Sequence, residues 1–195
     1  MTDTNNVNQV SVGKPKVGGA VFRGDTSLTL PTTAVATLVT GFAGMGYVSE
    51  DGVTRTITRE TTEIKAWGGD TIATPQTSKS ETVHLKFVQA LNTEVLEAAH
   101  GDSNVTGNLT SGIAITENAK ELEEKAWVID QVLADGRANR LVIPKGKVTE
   151  IGDIVYKDDE PIGYELTITA LPDSSGNTSY EYIGATSASG ASGTS

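Results

Sequence analysis

Strict alternation of apolar and polar positions picks out the strands. In ETVHLKFVQ (81–89), Val83, Leu85 and Phe87 share one parity and Thr82, His84 and Lys86 the other, the pattern of a half-buried strand. YELTITALPD (164–173) repeats it, with Tyr164, Leu166, Ile168 and Ala170 inward. KAWVIDQVLADGRANRLVIPKG (125–146) predicts two strands joined through Asp135-Gly136. Trp127, Ile129 and Leu133 make one face of the first apolar, and Val128 and Val132 the other, so this strand belongs in the middle of a sheet. Shorter strands are expected near Ala20–Phe22, at Tyr47–Ser49 before a turn at Glu50-Asp51-Gly52, and in SYEYIG (179–184). KVTEIGDIVY (147–156) reads as amphipathic or kinked near Gly152, and 68–80, 103–112 and 157–163 as loops and turns. One helix stands out, NTEVLEAAHGD (92–102). Asn92 can cap it, Glu94 suits its positive end, and Gly101 can take the left-handed position after it. Val95, Leu96 and Ala99 form its narrow apolar stripe.

GVTRTITRETTEIKAWGG (52–69) breaks the rule. It is rich in Thr, Val and Ile and has no proline, so it should be extended. Yet Val53, Arg55, Ile57, Arg59, Thr61, Glu63, Lys65 and Trp67 point one way, and Thr54, Thr56, Thr58, Glu60, Thr62, Ile64 and Ala66 the other. Neither face is apolar. Unbroken, residues 53–67 would span about 50 Å at ~3.3 Å per residue, against a diameter of roughly 40 Å for a compact domain of this size. Part of the strand must then project, or lie where another copy completes the sheet. The other reading is two ordinary strands with a break near Glu60–Thr62.

Short strands and turns dominate, with one short helix, so the class is mainly β, as a sandwich or barrel. The 195 residues suffice for one domain with a real core. We expect a flexible arm over 1–18, one β domain over 19–183, and a flexible Ser/Gly/Thr tail over 184–195.

Composition removes most chemistry. The formal net charge of −10 argues against gripping phosphates and against adhesion to an anionic membrane. With no cysteine, disulfides, thiolate nucleophiles and Cys-based zinc sites drop out. The polar N-terminus has no signal pattern and no apolar run approaches a membrane span, so we expect a soluble protein made in a cytoplasm. His84 and His100 have no evident metal or triad partners. GFAGMG (41–46) has its glycines in the wrong order for a dinucleotide fingerprint. PKGK (144–147) lacks the rest of a phosphate loop, and KDDE (157–160) lacks the alternation of a calcium loop. KELEEK (120–125) is a charged connector, and the two Asn-X-Thr sequences at 104–106 and 108–110 are chance matches. No constellation points to catalysis, a cofactor or a metal.

The run GYVSEDGVTRTITRETTEIKAWGGDTIATPQTSKSETVHLKFVQALNTEVLEAAHGDSNVTG (46–107) resembles the major tail protein, or tail tube protein, of long-tailed bacteriophages infecting Gram-positive and actinobacterial hosts. So does 126–173, and together the two runs cover a little over half of the chain. The resemblance implies a mainly β fold, a β-sandwich or half-barrel with one short flanking α-helix and a long protruding hairpin, in a structural virion protein of the tail made in the bacterial cytoplasm. Six copies would form a ring, and stacked rings a tube that conducts double-stranded DNA without binding it specifically. Tape measure and tail terminator or tip proteins would be its partners, and no membrane. Residues 53–67 and 78–89 would form a hairpin feeding an inner barrel, with Thr54, Arg55, Thr56, Thr58, Arg59, Glu60, Thr62, Glu63 and Lys65 at the lumen or between subunits. The 68–77 loop, through Gly68, Gly69, Asp70, Thr71, Pro75 and Gln76, would reach the next ring. Arg55, Arg59 and Lys65 would be neutralised by Glu60, Glu63 or a neighbour's acids. The net charge suggests an acidic lumen that repels DNA. Two rivals stand beside this reading: a β-sandwich module recognising a protein or glycan, which the low aromatic content of 5% disfavours, and a small hydrolase, which the missing nucleophile–base set disfavours.

Overall fold

The computed structural model describes residues 10–186. The elements run β1 (Gly13–Pro15), β2 (Val21–Asp25), β3 (Ala43–Gly44), β4 (Val48–Thr61), β5 (Ile64–Lys65), β6 (Thr71–Ala73), β7 (Gln76–Phe87) and α1 (Thr93–His100). After a single 3-10 turn at Asp102–Asn104 come β8 (Val105–Asn108), β9 (Gly112–Ile115), β10 (Lys125–Leu133), β11 (Arg137–Ile151), β12 (Tyr164–Leu171) and β13 (Tyr180–Thr186). Among the described residues nine strands join one open sheet in the order β3-β2-β10-β11-β12-β7-β4, with β1 beside β10 and β13 beside β11. Every pairing is antiparallel. Two small ribbons, β5-β6 and β8-β9, stand apart.

The register places the core. Trp127 faces Ile143, Ile129 faces Leu141, Val148 faces Ile168, and Leu166 faces Leu85. Cross-strand partners share a face, so these side chains form one apolar surface. α1 covers it with Val95, Leu96, Ala98 and Ala99. The helix begins as expected, with the Glu94 amide donating to Asn92 Oδ1 at 3.0 Å, and ends at Gly101, whose amide reaches Glu97 O at 2.8 Å. Gly146 makes room for the Trp127 ring: a Cβ there would lie 2.5 Å from Trp127 Cδ1 and 2.8 Å from Ile168 Cγ2.

The opposite face of β10 and β11 is also covered, which is why β10 is apolar on both sides. Asp130 and Arg140 are cross-strand partners, both buried. Arg140 Nε and Nη2 donate to Asp130 at 2.5 and 2.7 Å, and Nη1 donates to the carbonyls of Thr33 and Ala36 at 3.3 and 2.6 Å. This fork holds the 26–42 segment on the sheet. A second buried cation, Arg23 on β2, meets Asp102, which also takes Lys125 Nζ at 2.8 Å. Burial pushes the Asp102 carboxyl up, but the bonds from Lys125 and Arg23 outweigh it and hold it below the ordinary value.

Several expectations are corrected. The long strand is Val48–Thr61, not 53–67, and Ile64–Lys65 belongs to a separate ribbon. Glu50-Asp51-Gly52 is not a turn but a bulge inside β4: the register jumps from Val48↔Phe87 to Val53↔Leu85. Residues 71–73 and 76–77, expected as loop, are β6 and the start of β7, and 78–80, a loop by pattern but hairpin by the resemblance, are strand. The 103–112 stretch contributes β8, and 147–151 simply extends β11. Within the expected arm, Gly13–Pro15 pairs with β10; β13 runs to Thr186, inside the expected tail. The rest of both termini lies outside the described residues.

Candidate subunit interface: the projecting hairpin

β7 changes character at Glu81. From Glu81 to Phe87 every second residue is buried; from Gln76 to Ser80 every residue is exposed. The inner half is flanked by β12, as far as Thr82↔Thr169, and by β4; the outer half is paired with β4 alone. Across from it, β4 is exposed from Thr56 onward. With no apolar face and no second neighbour, this part of the hairpin projects. From Ile57 to the tip at Gly68 it reaches about 36 Å at most, at ~3.3 Å per residue. β4 ends the strand order, so its outer edge has no strand partner among the described residues, an edge that invites pairing with another chain.

The cross-strand register sorts the expected site residues. Thr54, Thr56, Thr58 and Glu60 lie opposite His84, Thr82, Ser80 and Ser78, making one face of hydroxyls. Ser78 Oγ donates to the Glu60 carboxylate at 2.9 Å. The row continues onto β12, where Thr167 shares a hydrogen bond with His84 Nδ1 at 3.0 Å and Thr169 one with Thr149 at 2.9 Å. On the hairpin rows of this face Glu60 is the one acidic side chain. The other face carries Arg55, Ile57, Arg59 and Thr61 opposite Val83, Glu81, Lys79 and Gln76.

The tip gathers the remaining expected residues. Thr62 and Pro75 close its base, the Thr62 amide donating to Pro75 O at 3.0 Å. Lys65 of β5 pairs with Glu63 at 3.4 Å, and Thr71 of β6 donates to Glu63 at 3.4 Å. Gly68 and Gly69 turn the chain at φ of 128° and 99°, a region closed to most side chains. Trp67 is fully exposed between them and Ala66, and Ile64 and Ile72 are exposed beside it. Three apolar side chains in water at the end of a projection are a contact surface in waiting.

The basic residues divide. Lys65 meets Glu63 as expected, but Arg59 donates to Gln76 Oε1 at 2.9 Å rather than to an acid. Arg55 meets neither Glu60 nor Glu63. Its Nε donates to Glu81 at 2.7 Å, its Nη1 to Glu181 at 3.0 Å and its Nη2 to Ser179 Oγ at 2.8 Å. Glu81 is the site residue the sequence reading passed over. It is fully buried, and also accepts from Ser179 Oγ at 2.7 Å, from Thr178 Oγ1, and from Lys79 Nζ at 3.4 Å. Burial pushes its carboxyl up, and the hydroxyls of Thr178 and Ser179 with the Arg55 guanidinium pull it down further, to a net depression. A signal was present: Glu81 has the parity of Val83, Leu85 and Phe87, which puts a carboxylate on the buried face and demands partners.

The two histidines among the described residues stand apart from one another. His84 sits between Thr82 and Thr167; His100 meets Glu117 and stands edge-on to the Tyr164 ring at 5.5 Å. Among the described residues no three His, Asp or Glu side chains are grouped to hold a metal ion, and no helix is long and apolar enough to cross a membrane. The two cavities beside the 101–104 segment are about 10 Å³ each, room for a water molecule and no ligand.

A family model described as "Phage tail tube protein" matches residues 4–193. No curated protein matches the chain. Among solved structures, the chain is similar to one titled as the cryo-EM structure of the anti-feeding prophage cap (AFP tube terminating cap), at 11% identity and a TM-score of 0.47, over 94% of this chain and 99% of that one.

Proposed function

The chain belongs to the phage tail tube protein family, and on that premise we propose that its copies assemble into hexameric rings that stack into a tail tube through which the genome passes. The observation that carries the proposal is the outer part of the β4–β7 hairpin, exposed on both faces, with a β4 edge that has no strand partner among the described residues. A monomer gains nothing from such a projection, whereas copies placed side by side complete the sheet through the β4 edge.

In this arrangement Thr54, Thr56, Thr58, Glu60, Ser78 and Ser80 line the lumen, and the ribbon from Thr62 to Pro75 meets the adjacent ring. The conduit wall is then hydroxylic rather than acidic: the net charge of −10 resides mostly elsewhere. Hydroxyls hold water and offer a phosphate no counter-charge, so DNA slides past without the counterion release that would retain it. The tape measure protein and the tail terminator and tip proteins are the partners in this reading, the host is Gram-positive or actinobacterial, and the protein performs no catalysis.

Electron microscopy and sedimentation of the purified protein over a wide concentration range test the proposal. Rings or tubes are the expected result. A monomer at every concentration, with no polymer on seeding, would overturn it.

A further inference from the structure

Glu81 stands where the hairpin leaves the sheet. Inward of it, β7 is bonded to β12 and β4 and cannot swing. Outward, the hairpin is a two-stranded cantilever. The strand that would flank it on the β12 side is missing because the chain makes an excursion over 172–179 between β12 and β13, and β13 pairs with β11 alone. Among the described residues no strand pairing therefore joins the outer hairpin to the body. Its direction is left to side chains.

Those side chains converge on one carboxylate. Glu81 is fully buried and collects Arg55 from β4, Lys79 from β7, and Thr178 and Ser179 from the excursion. Lys79 Nζ also donates to Thr178 Oγ1 at 2.8 Å. Arg55 carries the link to Glu181 on β13, which Asn139 Nδ2 on β11 holds from the other side at 3.1 Å. The excursion is itself ordered: Asp173 accepts from the amides of Ser175 and Asn177 at 2.8 and 3.0 Å and from the Tyr180 hydroxyl at 2.6 Å. A hydrogen-bonded anchor, a buried charge and a bidentate-capable cation thus meet at the point where the projection leaves the sheet.

We propose that Glu81 is the positioning residue that holds the hairpin in the direction required for assembly, by clamping its root through Arg55 to the 172–179 excursion. The inference rests on the tube reading for its functional meaning. A subunit whose hairpin samples many directions presents the β4 edge in the right place only part of the time, and its apparent affinity for a neighbour falls by that fraction.

The test compares the wild-type chain with Glu81→Gln, which keeps size and an acceptor oxygen but loses the charge that draws Arg55. Because the chain has no cysteine, spin labels at Thr62→Cys on the tip and Glu165→Cys on β12 report the hairpin direction alone. We expect one narrow distance distribution in the wild type, a broad one in the variant at unchanged folded fraction, and at least a tenfold rise in the concentration needed for polymer. A distribution as narrow as the wild type's, or assembly at the wild-type concentration, would overturn the clamp. Should Glu81→Gln not fold, the double variant Thr178→Val/Ser179→Ala removes the anchor's donors without touching the sheet, and the same two readouts decide. If the wild-type chain forms no polymer at all, the tube reading fails, while the distance measurement still decides whether Glu81 orients the hairpin.

Discussion

Replacing the fourteen tip residues 62–75 by Asn-Gly, so that a tight turn joins the cross-strand partners Thr61 and Gln76, separates folding from assembly. Every residue of this segment is exposed except half-buried Ala66. The hydrogen bonds described for it close within it: Thr62 to Pro75, Ala66 to Asp70, Gly69 to Ala66 and Thr71 to Glu63. Removal therefore takes nothing from the core. Shortening the connection sevenfold lowers its closure entropy cost by about 1.7 kcal/mol at most, and an isolated two-stranded ribbon contributes little in water. The unfolding free energy should stay within about 2 kcal/mol of the wild type, with an unchanged urea slope. Assembly should respond in the opposite way. Burying Trp67, Ile64 and Ile72 against a neighbouring ring stabilises each contact by roughly 5 kcal/mol at ~1.5–3 kcal/mol per side chain. Losing it raises the polymerisation threshold by more than about a thousandfold. Urea titration and sedimentation velocity on one preparation give both numbers. A stability loss above about 4 kcal/mol would mean that the ribbon packs on the body after all. Polymer at the wild-type threshold would remove the tip from the ring contact.

Asp130→Ala should cost about 3–5 kcal/mol in urea denaturation, because it strands the buried Arg140 guanidinium, whereas Asp130→Leu with Arg140→Met should recover most of the loss. Gly146→Ala should destabilise by about 1–3 kcal/mol through the clash with Trp127 and Ile168, seen as a lower thermal midpoint with a shifted tryptophan emission. Glu81 and Asp102 are depressed in the folded state, so their contribution is complete above their ordinary carboxylate values and is lost as pH falls through the lower folded values. Stability should therefore decline below about pH 4, and Glu81→Gln should flatten part of that decline. Glu97, raised first by its burial and then by Glu94 and Asp102, acts with the opposite sign and offsets some of it. Assembled tubes should show no salt-sensitive affinity for duplex DNA in a filter assay; tight binding that weakens steeply with salt would refute the hydroxyl-lined conduit.

Where alternation is regular, periodicity alone revealed the buried side of an element, but it missed Val105 and Val148, core residues in stretches read as loop or kink. The alternation of Val83, Leu85 and Phe87 and of Tyr164, Leu166, Ile168 and Ala170, the Asn92 and Gly101 caps of α1, and the two apolar faces around Trp127 were legible because burial imposes a period on the chain. The same logic found no apolar face in 52–69, and the hairpin is exposed on both faces from Thr56 outward, but the strand ends at Thr61, at the break near Glu60–Thr62 that the second reading gave. Where contacts are long-range, the sequence was silent. The bulge at 50–52 is set by the register of β4 against β7, and the pairing of Asp130 with Arg140 by the register of β10 against β11. The outer half of β7 forms because β4 lies beside it, so a run of Ser, Thr and Lys with no apolar period becomes a strand. Glu81 shows the division within one residue. Its parity fixed which face it occupies, but Arg55 is 26 residues and Ser179 98 residues away in the chain. Only the folded sheet brings these donors to the buried carboxylate, because a buried charge takes its partners from space, not from sequence.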